Sequence, residues 1–377
     1  MALDVSTDHV VSEICGEVGC ITLNRPGALN ALSLPMIRAI THSLLEWQGH
    51  DQVRAVAFRG MSKDTSSPSG SRPFGSFCAG GDIRFFHQAA LSGNPELEDF
   101  FTEEYALNHL IHTYAKPTIS FLDGIVMGGG MGLAQGTQIR IVTEHTKMAM
   151  PETHIGLFPD VGGGYFLSRC PGHVGEWLAL TGVQISADDA IRFSLADIRM
   201  NASQLQAAWA ALGELNLNNP SALDTWSAMY SIANYVYSTR TTGHFDVYFS
   251  LESVSDIVSA LEADTNTATR EATQQALQQL RKASPLMLHV TLAQIRRART
   301  MTLADDLRME RDLVHRCFTL RPGSASETVE GIRALAVDKD RSPRWNPARI
   351  EDVTPEMVAS FFASPWAKGT HPLRDLT

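Results

Sequence analysis

The chain has 377 residues, of which 44% are hydrophobic and 19% charged, and its formal net charge is −10. This length allows one large domain or two, and the composition is that of an ordinary globular protein. The acidic balance argues against nucleic acid as a partner; the one modest basic cluster, Arg296, Arg297 and Arg299, reads as a solvated helix face.

In chain order, the opening M-A-L-D-V-S-T-D-H-V carries two aspartates and no arginine before Arg25, unlike a secretory signal or an Arg-rich transit peptide. Cys20–Asn24 predicts a short strand. Ser33 and Pro35 start a helix that runs to about Trp47. Val53–Arg59 alternates polar and apolar residues, which predicts a strand burying Val56 and Phe58. The Ser/Pro/Gly-rich stretch Met61–Ser76 predicts a long surface loop. F-C-A-G-G-D-I-R then turns a strand end through Gly80 and Gly81. Leu97–Tyr114 predicts an amphipathic helix with Leu97, Phe100, Phe101, Leu107 and Ile111 on its apolar stripe, and Glu104 falls on the same stripe. K-P-T-I-S-F-L-D-G-I-V predicts a strand entering the glycine cluster Gly128–Gly132. Ile139–Thr143 and Met148–Met150 predict two more strands.

Strands and helices alternate to about residue 195, which predicts an α/β arrangement of repeated ββα-like units. Beyond about Ala202 the helical period dominates. Helices are expected over Ser221–Tyr237, Ala268–Lys282, Pro285–Ala298, Leu303–Phe318, Ser324–Val337 and Thr354–Phe362. Ser324-x-x-Glu327 matches a capping box, and Thr354-Pro355-Glu356 is a helix start. The expected organisation is a core over 1–200 and a mainly helical region over 201–377. Five irregularly spaced cysteines without C-x-x-C predict reduced thiols in an intracellular compartment rather than a disulfide frame or zinc site. No run of about 18 apolar residues is present, so no membrane span is expected.

The cluster Gly128–Gly132 lacks the Lys-Ser/Thr ending of a phosphate loop and does not fit G-x-G-x-x-G. It fits either a plain strand-to-helix turn or an oxyanion site made of N–H groups at the helix start. Cys78–Asp82 offers a second set of free N–H groups. Two separate turns suit a two-donor oxyanion hole, with Gly81 and Gly129 as the candidate donors. Glu152 follows Pro151 and reads as a first-turn carboxylate or a reactive acid. Asp160 follows Pro159 and reads as a helix cap before V-G-G-G or a second reactive acid. Glu104 is the third acid, costly on an apolar face unless paired or used. Three acids in apolar or glycine-rich surroundings point to raised pKa values or substrate binding. The triple glycine Gly162–Gly164 lets the chain pass close to a ligand or another backbone. Arg84 is a candidate for a ligand phosphate or for a surface acid.

Other chemistry finds little support. His109 and His112 stand three apart on one helix without further ligands, so no metal is expected. No G-x-S-x-G elbow is present. Cys78 has no evident histidine partner and reads as a small buried thiol.

Taken together, F-C-A-G-G-D-I-R, D-G-I-V-M-G-G-G-M-G-L and M-P-E-T-H-I-G-L-F-P-D-V-G-G-G-Y-F-L resemble the crotonase (enoyl-CoA hydratase/isomerase) superfamily. The P-E-T…F-P-D-V-G-G-G-Y-F form, E-E-Y-A-L-N and G-I-R-A-L-A-V-D-K-D-R-S-P-R-W-N-P are similar to its 3-hydroxyisobutyryl-CoA hydrolase family. The resemblance runs from about Cys20 to Phe362. It implies a crotonase-like spiral of ββα units with a mainly helical C-terminal region. It also implies a bound acyl-CoA thioester whose oxygen accepts from the N–H groups of Gly81 and Gly129. Glu152 and Asp160 match the catalytic acids, and Glu104 matches a substrate-contacting glutamate. Glu152 then acts as general base or as a nucleophile forming an anhydride, and Asp160 holds the substrate hydroxyl or the water.

Hydratases of the superfamily carry a second catalytic glutamate where this chain has Gly132, which argues for thioester hydrolysis. A hydratase or isomerase, or a non-catalytic acyl-CoA-binding protein, are the rival readings. The long stretch Met61–Ser76 and S-L-A-D-I-R-M near Asp197 depart from the family pattern. The implied partner is a small acyl-CoA, with CoA part of the substrate and no metal or redox cofactor; a homo-oligomer is compatible with the sequence. The implied location is the mitochondrial matrix in a eukaryote and the cytoplasm otherwise.

Overall fold

A computed structural model describes residues 7–63, 74–232 and 243–377. Most of the stretch Met61–Ser76 lies outside the described residues, as do the end of the helix expected over Ser221–Tyr237 and the first six residues. Nine strands are present among the described residues: β1 (Val10–Cys15), β2 (Val18–Leu23), β3 (Ala55–Gly60), β4 (Thr118–Leu122), β5 (Ile125–Met127), β6 (Ile139–Val142), β7 (Lys147–Ala149), β8 (Ile185–Ser186) and β9 (Ile198–Arg199). Among the described residues, every regular element after β9 is helical.

The chain forms two compact units that interleave along the sequence, where the composition change had suggested one division after residue 200. The first unit holds the described parts of Met1–Gly81, Ala106–Met148 and Gln184–Ser238; the second holds Asp82–Tyr105, Ala149–Val183 and the described parts of Thr239–Thr377.

In the first unit, a six-stranded sheet has the order β1-β2-β3-β4-β6-β9, and a three-stranded sheet the order β5-β7-β8. β1 and β2 pair antiparallel, and β2, β3, β4, β6 and β9 follow in parallel. β2, β3 and β4 are buried along their whole length, as parallel strands covered on both faces must be. Cys20, Ala57, Phe121, Ile141, Trp209 and Trp226 share one apolar core. The helix expected from Ser33 runs Leu34–Gln48. The stretch expected as one strand before the glycine cluster is two. Gly124, at φ +60°, turns the chain between β4 and β5, which lie in different sheets. A β-carbon on Gly124 would stand 2.9 Å from the Ser76 hydroxyl, so the turn needs a glycine on two counts.

The second unit is helical and has a core of its own, built on Leu180, Phe245, Phe249, Ile257, Leu280 and Leu288. Pro285–Ala298 is helical as expected, and the helices expected nearby run Arg270–Lys282, Leu303–Thr319 and Pro355–Phe361. The expected capping box at Ser324 is displaced: Ser326 caps Glu327–Ile332 by accepting from the Val329 N–H, and a π-helical turn follows over Arg333–Val337. The basic run is not a free solvated face. Arg296 donates to the carbonyls of Leu251 and Glu252, Arg297 stacks 3.7 Å from the Phe362 ring centroid, and Arg299 pairs with the buried Glu176 at 2.5 Å. The helix Glu96–His112 begins in this unit, its first turns anchored by edge contacts of Phe100 with Phe86 and Phe101 at 4.8 and 5.5 Å.

One glycine in the first unit sets a tight requirement. A β-carbon on Gly130 would stand 2.3 Å from the Cys78 carbonyl oxygen and 2.8 Å from its β-carbon. Gly130→Ala is therefore expected to cost about 1–3 kcal/mol in urea unfolding, the usual scale of overpacking. Gly27→Ala, whose β-carbon meets nothing within 4 Å, should change it by less than about 0.5 kcal/mol.

Candidate active site

Within the first unit, the two glycine turns singled out in the sequence lie side by side. Cys78 and Val126 form a parallel bridge: the Cys78 N–H donates to the Ile125 carbonyl at 3.0 Å, and the Met127 N–H to the Cys78 carbonyl at 2.9 Å. The first turn is held on its other side by Ala79 N–H to Leu29 O at 3.1 Å and Leu32 N–H to Gly80 O at 2.8 Å. Gly80 has φ +110° and Gly128 φ +48°, backbone states that glycine adopts without strain. A β-carbon on Gly80 would meet the Met127 oxygen at 3.4 Å and the Gly129 nitrogen at 3.7 Å, so the bends are in van der Waals contact. Gly129 opens the helix Gly129–Gly136 with no side-chain cap, which leaves its N–H without an intrahelical acceptor. Among the described residues the N–H of Gly81 donates to no backbone carbonyl. Two distant bends thus present unspent donors close together. Gly132 lies buried inside that helix. Cys78 is fully buried, in keeping with a structural thiol.

Within the second unit, the three acids are buried together. Glu104, Glu152 and Asp160 are 2, 6 and 5% exposed. Glu104 rides on the helix Glu96–His112, and Glu152 opens the 3₁₀ turn Glu152–Ile155. Asp160 is not the cap of the following helix. That helix, Gly163–Leu167, starts after Gly162, while the Asp160 carboxylate accepts from the Tyr105 hydroxyl at 2.8 Å. Burial raises the pKa of all three. Asp160 is pushed from its ordinary 3.8 to about 6, with the Tyr105 hydrogen bond opposing the rise. Glu152 lies well above the usual carboxylate range because of burial and then the charge of Asp160. Glu104 is raised by burial, then by Asp160 and Glu152. One oxygen each of Glu104 and Glu152 has no hydrogen-bond partner among the described residues. An unpaired buried carboxyl oxygen is costly to folding alone and suits a group that meets a ligand.

Arg84 stands exposed on the helix Ile83–Ser92, which Asp82 caps by accepting from the Phe85 N–H. With His87, Gln88, Leu91 and Lys339 it lines an open groove of about 740 Å³ within the second unit. The triple glycine Gly162–Gly164 meets side-chain carboxylates. The N–H groups of Gly162 and Gly164 donate to Glu310 at 2.7 and 2.9 Å, and that of Tyr165 to Asp306 at 2.7 Å. Asp197, in the segment that departs from the family pattern, takes a two-pronged ion pair from Arg140 in the first unit. Tyr105, Asp306 and Glu310 were not singled out in the sequence. A signal existed for the last two: they share a helical stripe with Leu313 and Cys317, as Glu104 does with its apolar neighbours.

The model of the enoyl-CoA hydratase/isomerase family matches residues 18–362. The chain belongs to that family. 3-Hydroxyisobutyryl-CoA hydrolase 1 of Arabidopsis thaliana is 37% identical over 96% of this chain and 93% of its own length. The mitochondrial 3-hydroxyisobutyryl-CoA hydrolase of Danio rerio is 38% identical over 94 and 90%. A carnitinyl-CoA dehydratase from Mycobacterium thermoresistibile superposes with a TM-score of 0.83 at 34% identity, covering 95% of this chain and 97% of that one. The fold is the crotonase-like α/β fold of the enoyl-CoA hydratase/isomerase family. No helix among the described residues is long and apolar enough to cross a membrane.

The raised pKa of Asp160 makes a stability prediction. A carboxyl whose folded pKa exceeds its unfolded value stabilises the protein fully below the unfolded value. That contribution is lost as pH rises through the folded value. Asp160→Asn should therefore gain up to about 3 kcal/mol over the wild type above pH 6, the worth of a rise from 3.8 to about 6. The gain should vanish near pH 4. Urea unfolding at pH 4 and pH 7.5 checks this; a gain independent of pH would contradict it.

Proposed function

We infer that this chain is a thioester hydrolase that converts 3-hydroxyisobutyryl-CoA to the free hydroxy acid and CoA, a step of valine breakdown. The observation that carries the reading is the burial of Glu152 and Asp160 with raised pKa values in a chain about 37% identical, nearly end to end, to hydrolases of that name. The thioester carbonyl oxygen accepts from the N–H groups of Gly81 and Gly129. Donors of this kind, placed where charge develops, are worth about 3 kcal/mol each in the transition state. Glu152 takes a proton from the attacking water. A raised pKa lets the carboxylate, once ionised, accept and hold that proton. Asp160 holds the substrate hydroxyl, and Glu104 positions the water and the acids around it.

Arg84 and Lys339 meet CoA phosphates in the groove they line. No metal or redox cofactor enters these steps, because the amides stabilise the oxyanion and a carboxylate moves the proton. The reading places the chain in the mitochondrial matrix in a eukaryote, in keeping with the Danio rerio relative being named mitochondrial, and in the cytoplasm otherwise. It is indifferent to whether the chain self-associates.

A hydratase or dehydratase activity is the second reading, favoured by the name of the solved relative. Gly132 counts against it, since water addition across a double bond uses two acids and no carboxylate stands there. Release of free thiol from 3-hydroxyisobutyryl-CoA, with no hydration of crotonyl-CoA, is the expected result; the reverse pattern would establish the second reading. Glu152→Gln should retain acyl-CoA binding and lower kcat at least about 100-fold, the scale of a lost general base. Turnover near the wild type would remove Glu152 from the mechanism.

A further inference from the structure

We propose that Glu310, a residue with no part in the chemistry above, is the positioning residue for Asp160: it holds the turn Pro159–Gly164 directly at Gly162 and Gly164 and, through Gln294, at Pro159, and so sets selectivity for a hydroxylated acyl group. The inference rests on the role given to Asp160 in hydroxyl binding, and the contacts that support it lie within the second unit.

The turn does not hold itself. Val161, a β-branched residue, sits at φ +58° and Gly162 at φ +85°, and the first of these is a backbone state that a β-branched side chain disfavours. Such a conformation persists only where its surroundings determine it. Glu310 supplies the determination. One carboxylate oxygen accepts from the Gly162 N–H at 2.7 Å, and the other from the Gly164 N–H at 2.9 Å. Gln294 closes the other side, its amide donating to the Pro159 carbonyl at 2.6 Å and to Glu310 at 3.0 Å. The residues on both flanks of Asp160 are thereby tied to one carboxylate. Asp306, one helical turn before Glu310, takes the next N–H, that of Tyr165, at 2.7 Å. A β-carbon on Gly164 would stand 2.3 Å from Asp306, so the glycine admits the carboxylates.

This clamp is expensive in isolation. Glu310, Asp306 and Gln294 are fully buried. Burial raises Glu310 well above the usual carboxylate range, and Asp306 and Asp160 add to the rise. A leucine pair would fill the same space without that penalty but would leave the N–H groups of Gly162, Gly164 and Tyr165 unpaired. The helix Leu303–Thr319 therefore carries two acids where helical packing alone calls for apolar residues. The geometry they fix belongs to the neighbour in sequence, Asp160, whose carboxylate is oriented separately by Tyr105.

The test compares kcat/KM for 3-hydroxyisobutyryl-CoA with that for isobutyryl-CoA, which lacks the hydroxyl. In the wild type this ratio should be high. Asp160→Asn should reduce it at least 10-fold. Glu310→Gln, and Gln294→Met as a milder variant that keeps side-chain volume, should each reduce it at least 3-fold, with KM for isobutyryl-CoA unchanged. Glu310→Gln added to Asp160→Asn should reduce it no further. A merely structural role would lower the melting temperature and leave the ratio alone. If Asp160→Asn reduces the ratio and neither Glu310→Gln nor Gln294→Met does, Glu310 is not the positioning residue. If Asp160→Asn leaves the ratio intact, the hydroxyl-binding role of Asp160 fails, and the inference built on it fails with it.

Discussion

Taking carboxyl groups out of water is the constraint around which the second unit is built. Glu104, Glu152, Asp160, Asp306 and Glu310 are all buried, with burial the largest cause of a raised pKa in each. Desolvating an acid costs free energy unless the structure answers it with hydrogen bonds. The five are answered unequally. Glu310 and Asp306 receive backbone N–H groups, and Asp160 receives a phenolic hydroxyl. Glu104 and Glu152 each keep an oxygen without a partner among the described residues. Asp306 keeps one such oxygen as well, but its other oxygen accepts from a backbone N–H.

The first unit offers donors for negative charge from the backbone alone. Its unspent donors are the N–H groups of two bends that the Cys78–Val126 bridge brings into contact. Backbone dipoles in this setting need no counter-ion and no reorganisation, which makes them effective for a transient oxyanion in a protein whose net charge is negative. The same economy explains the glycines. Gly130 is required by the Cys78 carbonyl beside it, and Gly80 and Gly128 by their left-handed φ.

A local pattern misled wherever it had more than one physical use. Pro159-Asp160 followed by V-G-G-G has the form of a helix cap, yet Tyr105 takes the carboxylate and the next helix starts uncapped. Ser324 fits a capping box, but the chain turns once more and Ser326 caps instead. Three arginines on one helix have the composition of a solvated face, and each is engaged by a distant group. Such choices are made by residues far away in sequence, whose arrival no local window encodes.

By itself the sequence determined the strand and helix types of most elements, the bare glycine bends and the burial of Glu104. Each follows from periodicity or from a steric property of one residue, which are local facts. The motif resemblance likewise sufficed to place the chain in its family. Tertiary structure alone decided that the bends at Gly81 and Gly129 adjoin, that β4 and β5 part into two sheets, and that the second triple glycine cradles Glu310 and Asp306. Those outcomes are long-range pairings of hydrogen-bonding groups. A donor in a sequence carries no mark of its acceptor until the chain has brought the two together.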